Sequence, residues 1–309
     1  MSAGHHHGHD HRHHGRDPQA ARGRAFALAV LLNLGFTVAE IAAGLISGSM
    51  ALIADAGHNL SDVLALLLAW AANTLTARPP NERFTYGLKS SSILAAIANA
   101  ALLWLALGAI LVETIRRISD PAPVEGGMMM LVAALGIVIN GFSAWLFARG
   151  RKSDLNMRAA FLHLAGDAAV SAGVVVAGFA VMQTGVALID PVTSLVICIV
   201  IGWSSWGLLK DSLRMGLLAA PESIDVSEVR AFLSSQPGVA AVHDLHVWPM
   251  STTETALTAH LVMPGGLPGD RFLQELSHEL HHRFGIGHPT VQIETAGGED
   301  CALESDGVV

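Results

Sequence analysis

The sequence predicts an all-α bundle of six transmembrane helices followed by a small α+β domain. Of its 309 residues, 51% are apolar and only 14% are charged, which is too apolar for an ordinary soluble protein. Six apolar segments are each close to the ~20 residues that a helix needs to cross the hydrocarbon core of a bilayer. After about residue 220 the sequence becomes polar and acidic, which indicates a second region with different surroundings.

Charge is distributed unevenly along the chain, although the net charge is only −8. Residues 1–221 carry 15 basic and 13 acidic groups, whereas residues 222–309 carry 3 and 13. The two cysteines, Cys198 and Cys301, are far apart and cannot form a disulfide framework. The sequence therefore gives no sign of an oxidised, secreted fold, and we expect no nucleic-acid partner.

The first 23 residues are polar and rich in histidine. The opening MSAGHHHGHDHRHHGRDP has no apolar stretch before a small-residue cleavage site, so it is not a signal peptide. Interruptions by Gly, Asp and Arg favour a native tract over an expression tag. The segment has nothing to bury and is predicted to be disordered. Two roles stay open for it, delivery of metal and buffering of metal.

The transmembrane domain is predicted at residues 24–215. The segment from Ile46 to Met50 is too short for anything but a hairpin between antiparallel helices, and Gly185 to Pro191 makes a similar turn. Lys and Arg predict the orientation, because 13 flank the spans on one side and 2 on the other, which places both termini in the cytoplasm. The predicted spans are 26–46, 50–72, 90–113, 127–148, 160–182 and 187–209.

The second domain is predicted at residues 216–296, before a polar tail at 297–309. Its first helix is amphipathic and capped by Asp225 or Ser227, and its second is ended by Gly285. The order α-β-β-α-β indicates helices packed on one face of a sheet. Helices are predicted within 221–238 and 270–286, and strands within 239–250, 254–263 and 289–296.

Two spans carry the same pair of ionisable residues. His58 and Asp62 in span two are four residues apart, so they lie one turn apart on one helix face. His163 and Asp167 in span five have the same spacing. A central Asp in a membrane costs ~2.5–3.5 kcal/mol on insertion scales, so such groups usually mark an ion or proton pathway. The alternative is that each pair joins helices by a hydrogen bond, but a matching second pair disfavours it.

Two imidazoles and two carboxylates form a ligand set that suits tetrahedral Zn²⁺. The two carboxylate charges would also neutralise the ion. When the ion leaves, four ionisable groups remain in a low-dielectric cavity, where burial and like charge favour the uptake of protons. We therefore expect metal and protons to compete for one site, which is the physical basis of an antiporter.

Other polar residues in the spans have less specific interpretations. Asp55, three residues before His58, is expected to support the site as an outer-shell partner. Asn33 and Glu40 lie two turns apart on one face and either line a cavity entrance or join helices. Asp190, before Pro191, sits where the N-cap of span six is expected.

The second domain carries a further candidate metal set in and beside its strands. His243, His260, His288 and Glu294 are predicted to bind metal in the cytoplasm, although a histidine on a strand is as often structural. Also present are His246 in the same strand as His243, and His278, His281 and His282, which are expected on the solvated face of the second helix.

These residues resemble the motifs of the cation diffusion facilitator family of zinc transporters, in particular its bacterial zinc-efflux branch. The resemblance extends over about residues 24–296. It rests on NLGFTVAEIAAGLISGSMALIADAGHNLSD, RFTYGLKSSSILAA, HLAGD, DPVTSLVI and VHDLHVW.

The resemblance implies a homodimer in the bacterial inner membrane, with a ferredoxin-like cytoplasmic domain, that exports Zn²⁺ in exchange for protons by alternating access. The family's transport site falls on His58, Asp62, His163 and Asp167, the four residues that the spacing selects. Two departures matter. The loop NERFTYGLK has no histidine, so no metal site is expected there, and the last strand has Glu294 and Ala296 where some members have His and Asp, so no full two-ion cluster is expected.

We therefore predict a Zn²⁺/proton antiporter that is not an enzyme. Three alternatives stay open: a metal sensor or storage protein, a carrier whose main cargo is Cd²⁺ or Co²⁺, and an intramembrane metal-dependent enzyme. No HExxH or comparable motif in the sequence supports the enzyme alternative.

Overall fold

The computed structural model describes residues 18–148 and 155–295. Expectations for the histidine-rich residues 1–17 and for the tail at 297–309 lie outside this range. The chain divides into two compact units that cut across three helices. Unit one combines residues up to 60 with 110–197, and unit two combines residues 61–109 with those from 198 onward.

The predicted six-helix bundle is confirmed. Six helices in the described part of the chain are long and apolar enough to cross a membrane. Most extend a few residues beyond the predicted apolar segments, because polar residues continue a helix past the bilayer core. The helices are α1 Pro18–Ser47, α2 Met50–Thr76, α3 Ser91–Ser119, α4 Gly126–Ala148, α5 Leu155–Thr184 and α6 Ile189–Gly216.

Close packing of α4 on α5 forms the centre of unit one. A Cβ at Gly126 would lie 2.6 Å from the Gly178 carbonyl oxygen, so the two backbones touch where both residues are glycine. At Gly136 a Cβ would lie 2.7 Å from Phe36 and 2.9 Å from the Ser171 hydroxyl. Small residues on α4 therefore bring α1 and α5 close to it, and α5 is the helix that carries His163 and Asp167.

Asp190 caps a different helix from the one expected. It lies within the first turn of α6, and its carboxylate accepts hydrogen bonds from the Ser49 hydroxyl at 2.6 Å and the Met50 amide at 2.7 Å. It also accepts the Ala51 amide at 3.2 Å. These amides belong to the first turn of α2, whose free N–H groups need acceptors. Asp190 thus fixes the start of α2 against α6.

The α+β domain in unit two has the predicted order α-β-β-α-β. Strand β1 pairs antiparallel with β2, and β2 pairs parallel with β3, so β2 is central. Its buried side chains, among them Leu257 and Leu261, pack with Val229 and Leu233 of the first helix and Leu276 and Leu280 of the second. The elements are α7 Val226–Ser234, β1 Ala241–Pro249, β2 Thr255–Val262, α8 Asp270–Phe284 and β3 Ile286–Glu294.

Both predicted helix ends of this domain are present. Of the two candidate caps, Asp225 is the N-cap of α7, and its carboxylate accepts the Ser227 amide at 2.8 Å. Gly285 ends α8 in the left-handed conformation with φ 70°, which glycine adopts without a Cβ penalty. Strand β3 begins at once at Ile286, three residues before the predicted start, because Ile286 pairs with Thr255.

Within unit two, the β1–β2 turn contacts the segment that joins α2 to α3. Lys89 forms an ion pair with Glu254, and the Ser92 hydroxyl accepts the Thr252 amide at 3.1 Å. A cavity of about 610 Å³ lies between this turn and helices α2 and α3. Its α2 wall begins at Ala65, and the buried Asn99 side chain on α3 also lines it.

Candidate metal sites

Three of the four predicted membrane ligands converge between α2 and α5. One ligand atom from each of His58, His163 and Asp167 lies within 4.8 Å of the others. The Asp167 carboxylate lies between the two rings, with Oδ1 3.4 Å from His58 Nε2 and Oδ2 3.7 Å from His163 Nε2. The two ring centroids are 5.8 Å apart and nearly perpendicular.

This arrangement is close to that of a tetrahedral zinc site. Two ligands at ~2.0–2.1 Å from a tetrahedral ion are about 3.3 Å apart, which is near the 3.4 Å between His58 and Asp167. The two distances go to different oxygens of Asp167, and the three ligand atoms lie within 4.8 Å of one another, so the side chains must draw closer to bind one ion at zinc distances.

The fourth predicted ligand, Asp62, lies one turn beyond His58 on α2 and belongs to the second unit. Its i, i+4 spacing places it on the helix face that carries His58. The same face continues to Ala65 and Ala69, which line the cavity described above.

The three converged residues differ in exposure. The Asp167 side chain is 7% exposed and that of His58 is 15% exposed, but that of His163 is 47% exposed. A buried carboxylate strengthens attraction to a cation because the surrounding dielectric is low. His163 is therefore the most exposed of the three side chains.

Asp55, the expected outer-shell partner, joins α2 to α5, and its support of the ligands stays a prediction. Its carboxylate accepts a hydrogen bond from Ser171 on α5 at 3.1 Å. One turn away on α2, the Asn59 amide donates to Glu40 on α1 at 3.0 Å, which favours helix joining over a cavity lining for Glu40. Asn59 and Ser171 were missed by sequence reasoning, because single amides and hydroxyls are common in transmembrane helices.

In the α+β domain, His243, His260 and Glu294 converge as predicted. Glu294 bridges the two rings, with 2.9 Å from Oε2 to His243 Nε2 and 2.9 Å from Oε1 to His260 Nδ1. One ligand atom from each of the three residues lies within 4.8 Å of the others. Strand register explains this geometry. His243 on β1 lies opposite His260 on β2. Glu294 lies two residues beyond Gln292, the β3 partner of His260, and therefore on the same face of the sheet.

Asp244 extends this group and was missed. The β1–β2 register shifts between His243 and His246, and Asp244 has a left-handed φ of 48° at this bulge. The bulge turns its carboxylate toward two rings, 2.9 Å from His246 Nε2 and 3.4 Å from His260 Nε2. Strict strand alternation would have placed Asp244 on the opposite face from His243, so the sequence pattern hid it.

His288 is a correction to the predicted set. It pairs with Ala256, four residues from His260 on β2, which corresponds to about 13 Å along the strand. Its ring instead meets Tyr86 edge to face, with centroids 5.4 Å apart. His288 therefore cannot share an ion with His260. The predicted solvent-exposed histidines of α8, His278, His281 and His282, are exposed.

Sequence comparisons cover both parts of the chain. Residues 26–215 match the cation efflux transmembrane domain, and residues 221–296 match the cation efflux protein cytoplasmic domain. The zinc transporter ZitB of Escherichia coli is 38% identical over 290 residues, 93% of this chain and 92% of that protein. The cadmium, cobalt and zinc/H(+)-K(+) antiporter of Bacillus subtilis is 33% identical over 302 residues, 96% of this chain and 95% of that protein.

Among solved structures, the metal-bound C-terminal domain of the CzcD transporter from Cupriavidus metallidurans is similar in sequence. It is 35% identical and covers 23% of this chain and 99% of that chain, with a TM-score of 0.22.

Proposed function

This chain belongs to the cation efflux family, and from that premise we propose that it exports Zn²⁺ from the cytoplasm in exchange for protons. The resemblance seen in the sequence is confirmed, and the chain is a multi-pass membrane protein of a family of metal transporters. Zinc as the cargo is supported by the ligand chemistry and by the name of the Escherichia coli relative.

The convergence of His58, His163 and Asp167 carries this proposal. Nitrogen and carboxylate ligands at these separations suit Zn²⁺, whereas hard ions such as Mg²⁺ prefer oxygen alone. Asp62 completes the set in the proposal, by closing in from the next turn of α2. It supplies the second negative charge that a divalent ion needs in a low-dielectric site.

Protons drive the exchange because they replace the charge of the ion. Two carboxylates without metal are unstable together in a membrane, and protons are the cations available to neutralise them. Metal binding therefore expels protons, and proton entry from the other side expels metal. Alternating exposure of the site to the two sides of the membrane turns this competition into transport.

The cytoplasmic side is the proposed side of metal entry. The excess of Lys and Arg supports cytoplasmic termini in a bacterial inner membrane. We propose that the cavity of about 610 Å³, lined by α2, α3 and the β1–β2 turn of the α+β domain, is part of the entry route. A homodimer is supported by the match of residues 221–296 to the family's cytoplasmic domain.

The α+β domain is proposed to bind Zn²⁺ through His243, His260 and Glu294. Each carboxylate oxygen of Glu294 already faces one ring at 2.9 Å. Asp244 lies 3.4 Å from the other ring nitrogen of His260, Nε2, and is proposed to orient this ring as a supporting residue. Such a site would hold zinc without taking part in the exchange itself.

A zinc-sensitive bacterial strain tests the transport function. The wild-type chain is expected to restore resistance and lower cell zinc. Asp62→Ala and Asp167→Ala should each abolish both effects, because loss of one ligand is expected to weaken zinc binding at least about 100-fold. The exposed Asp120→Ala is the matched control and should behave as wild type. Full resistance with either ligand variant would refute the site.

A cargo other than zinc is favoured by one observation, the cadmium and cobalt in the name of the Bacillus subtilis relative. His58→Asp separates the possibilities, since it replaces a nitrogen ligand by oxygen and adds a negative charge. A zinc carrier should lose discrimination between Zn²⁺ and Cd²⁺ in this variant. Wild-type resistance to Cd²⁺ or Co²⁺ without resistance to Zn²⁺ would identify a different cargo.

A further inference from the structure

Two carboxyl groups that are not metal ligands are buried together in unit one. Glu40 on α1 and Asp55 on α2 are both 0% exposed, and their side chains interact with each other. Each accepts one hydrogen bond, Glu40 from Asn59 at 3.0 Å and Asp55 from Ser171 at 3.1 Å. The transport mechanism above does not use this pair.

The hydrogen bonds of the pair are incomplete. Glu40 Oε1 and Asp55 Oδ1 are both buried with no hydrogen-bond partner among the described residues. Asn59 and Ser171 are neutral donors and cannot balance a second negative charge. Two adjacent carboxylates in a low-dielectric region repel each other, whereas one shared proton removes a charge and supplies a donor.

We propose that Glu40 and Asp55 form a proton-binding site, separate from the metal ligands, that releases a proton when Zn²⁺ binds and takes one up when Zn²⁺ leaves. The inference rests on the proposed function and adds a second source of protons to the exchange. The ligand of this site is the proton itself, held between two carboxyl oxygens.

Electrostatics links the pair to the transport site. Among the described residues, Asp167 on α5 acts on both members of the pair, and His58, on the same helix as Asp55, acts on Asp55. A divalent ion bound at these two residues reverses the local field from negative to positive. The positive field favours two ionised carboxylates, so a proton leaves the pair to water. After the metal leaves, the positive field is gone, and repulsion between the two carboxylates of the pair favours the uptake of a proton from water.

Calorimetry on the purified full-length protein tests this inference. Zinc titrations in buffers of different ionisation enthalpy give the number of protons released per ion bound. Glu40→Gln keeps the shape and the acceptor oxygen for Asn59 but cannot ionise. We expect it to bind zinc and to release about one proton fewer per ion than the wild type. Asp120→Asn, which removes an exposed carboxyl group, should release as many protons as the wild type.

The outcomes distinguish this inference from the proposed function. Equal proton release by wild type and Glu40→Gln, with zinc bound by both, would overturn the second proton site and leave transport untouched. Absence of zinc binding by the wild type would instead contradict the proposed function. Infrared spectra of the unmutated protein provide a measurement that does not depend on folding of a variant. At neutral pH the buried protonated carboxyl bands that weaken when zinc is added should correspond to more than the two ligand carboxyl groups, Asp62 and Asp167. A loss that corresponds to two groups or fewer would also overturn the inference.

Discussion

Asp167 is the residue that holds the membrane site together, because each of its carboxylate oxygens faces a different imidazole. The bidentate arrangement fixes both Nε2 atoms toward one point and leaves the opposite ring nitrogens for neighbouring groups. Glu294 has the same role in the α+β domain, where it lies between His243 and His260. One carboxylate between two rings is therefore the common unit of both sites.

Asp225 gives a residue-scale prediction on pH. Hydrogen bonds from the Ser227 hydroxyl and amide lower the pKa of Asp225 below its ordinary value. Its stabilisation of α7 is therefore fully present above about pH 4, the ordinary pKa of Asp, and is lost as the pH falls through the lower folded value. Hydrogen-exchange protection of α7 should fall in that acidic range. In Asp225→Asn, the protection of α7 should not show this acid-dependent loss. The same pH profile in Asp225→Asn and in the wild type would contradict the cap.

The bulge in β1 and the start of α2 show what the element scale adds to a sequence. Helix spans were predictable because apolar length alone determines them, and the order of strands followed from alternation. Asp244 was not, because a bulge changes which face a residue occupies without leaving a mark in the pattern. Asp190 lies at the start of α6 as expected but caps α2, and this was missed because a cap supplied from 139 residues away has no local signal.

The bulge leads to a prediction about zinc in the α+β domain. Asp244→Asn tolerates the left-handed backbone as Asp does but removes the charge, whereas Asp244→Ala also adds backbone strain. In a chain whose membrane site is removed by Asp62→Ala and Asp167→Ala, Asp244→Asn should weaken zinc binding by about 10-fold or more. Glu294→Gln should weaken it further because it contacts both rings. Equal affinity for Asp244→Asn and its parent would exclude Asp244 as a ligand or supporting residue.

The contact of the β1–β2 turn with the α2–α3 segment is expected to be weak and reversible. The Lys89 and Glu254 side chains are 33% and 48% exposed, so solvent screens their attraction and a pair of this kind contributes roughly 0.2–1 kcal/mol. Lys89→Glu should raise the rate of proteolysis in residues 77–90 by no more than about fivefold. The double variant Lys89→Glu/Glu254→Lys, which reverses the ion pair, should restore the wild-type rate of proteolysis. A double variant that is cleaved as fast as Lys89→Glu would show that the ion pair does not hold this contact.

At the scale of the whole molecule, sequence and structure agree on the architecture. The structure brings together three of the four residues of each predicted ligand set, and metal binding by them stays a prediction. Composition, span length and the repeated i, i+4 pairs were enough for the membrane part, because a bilayer strongly limits where ionisable residues lie. His288 was wrongly grouped because strand register, which sets distances along a sheet, is not contained in the spacing of histidines. The pair Glu40 and Asp55 required three-dimensional contacts between α1, α2 and α5.

Zinc uptake by vesicles under an imposed pH gradient tests the central claim most directly. Protein reconstituted in lipid vesicles should accumulate Zn²⁺ in the compartment from which protons flow out, and zinc addition should dissipate the gradient. Asp167→Ala should do neither, whereas Asp120→Ala should do both as the wild type does. Zinc uptake that is indifferent to the gradient, or gradient-driven uptake that survives Asp167→Ala, would contradict a proton-coupled exchange at this site.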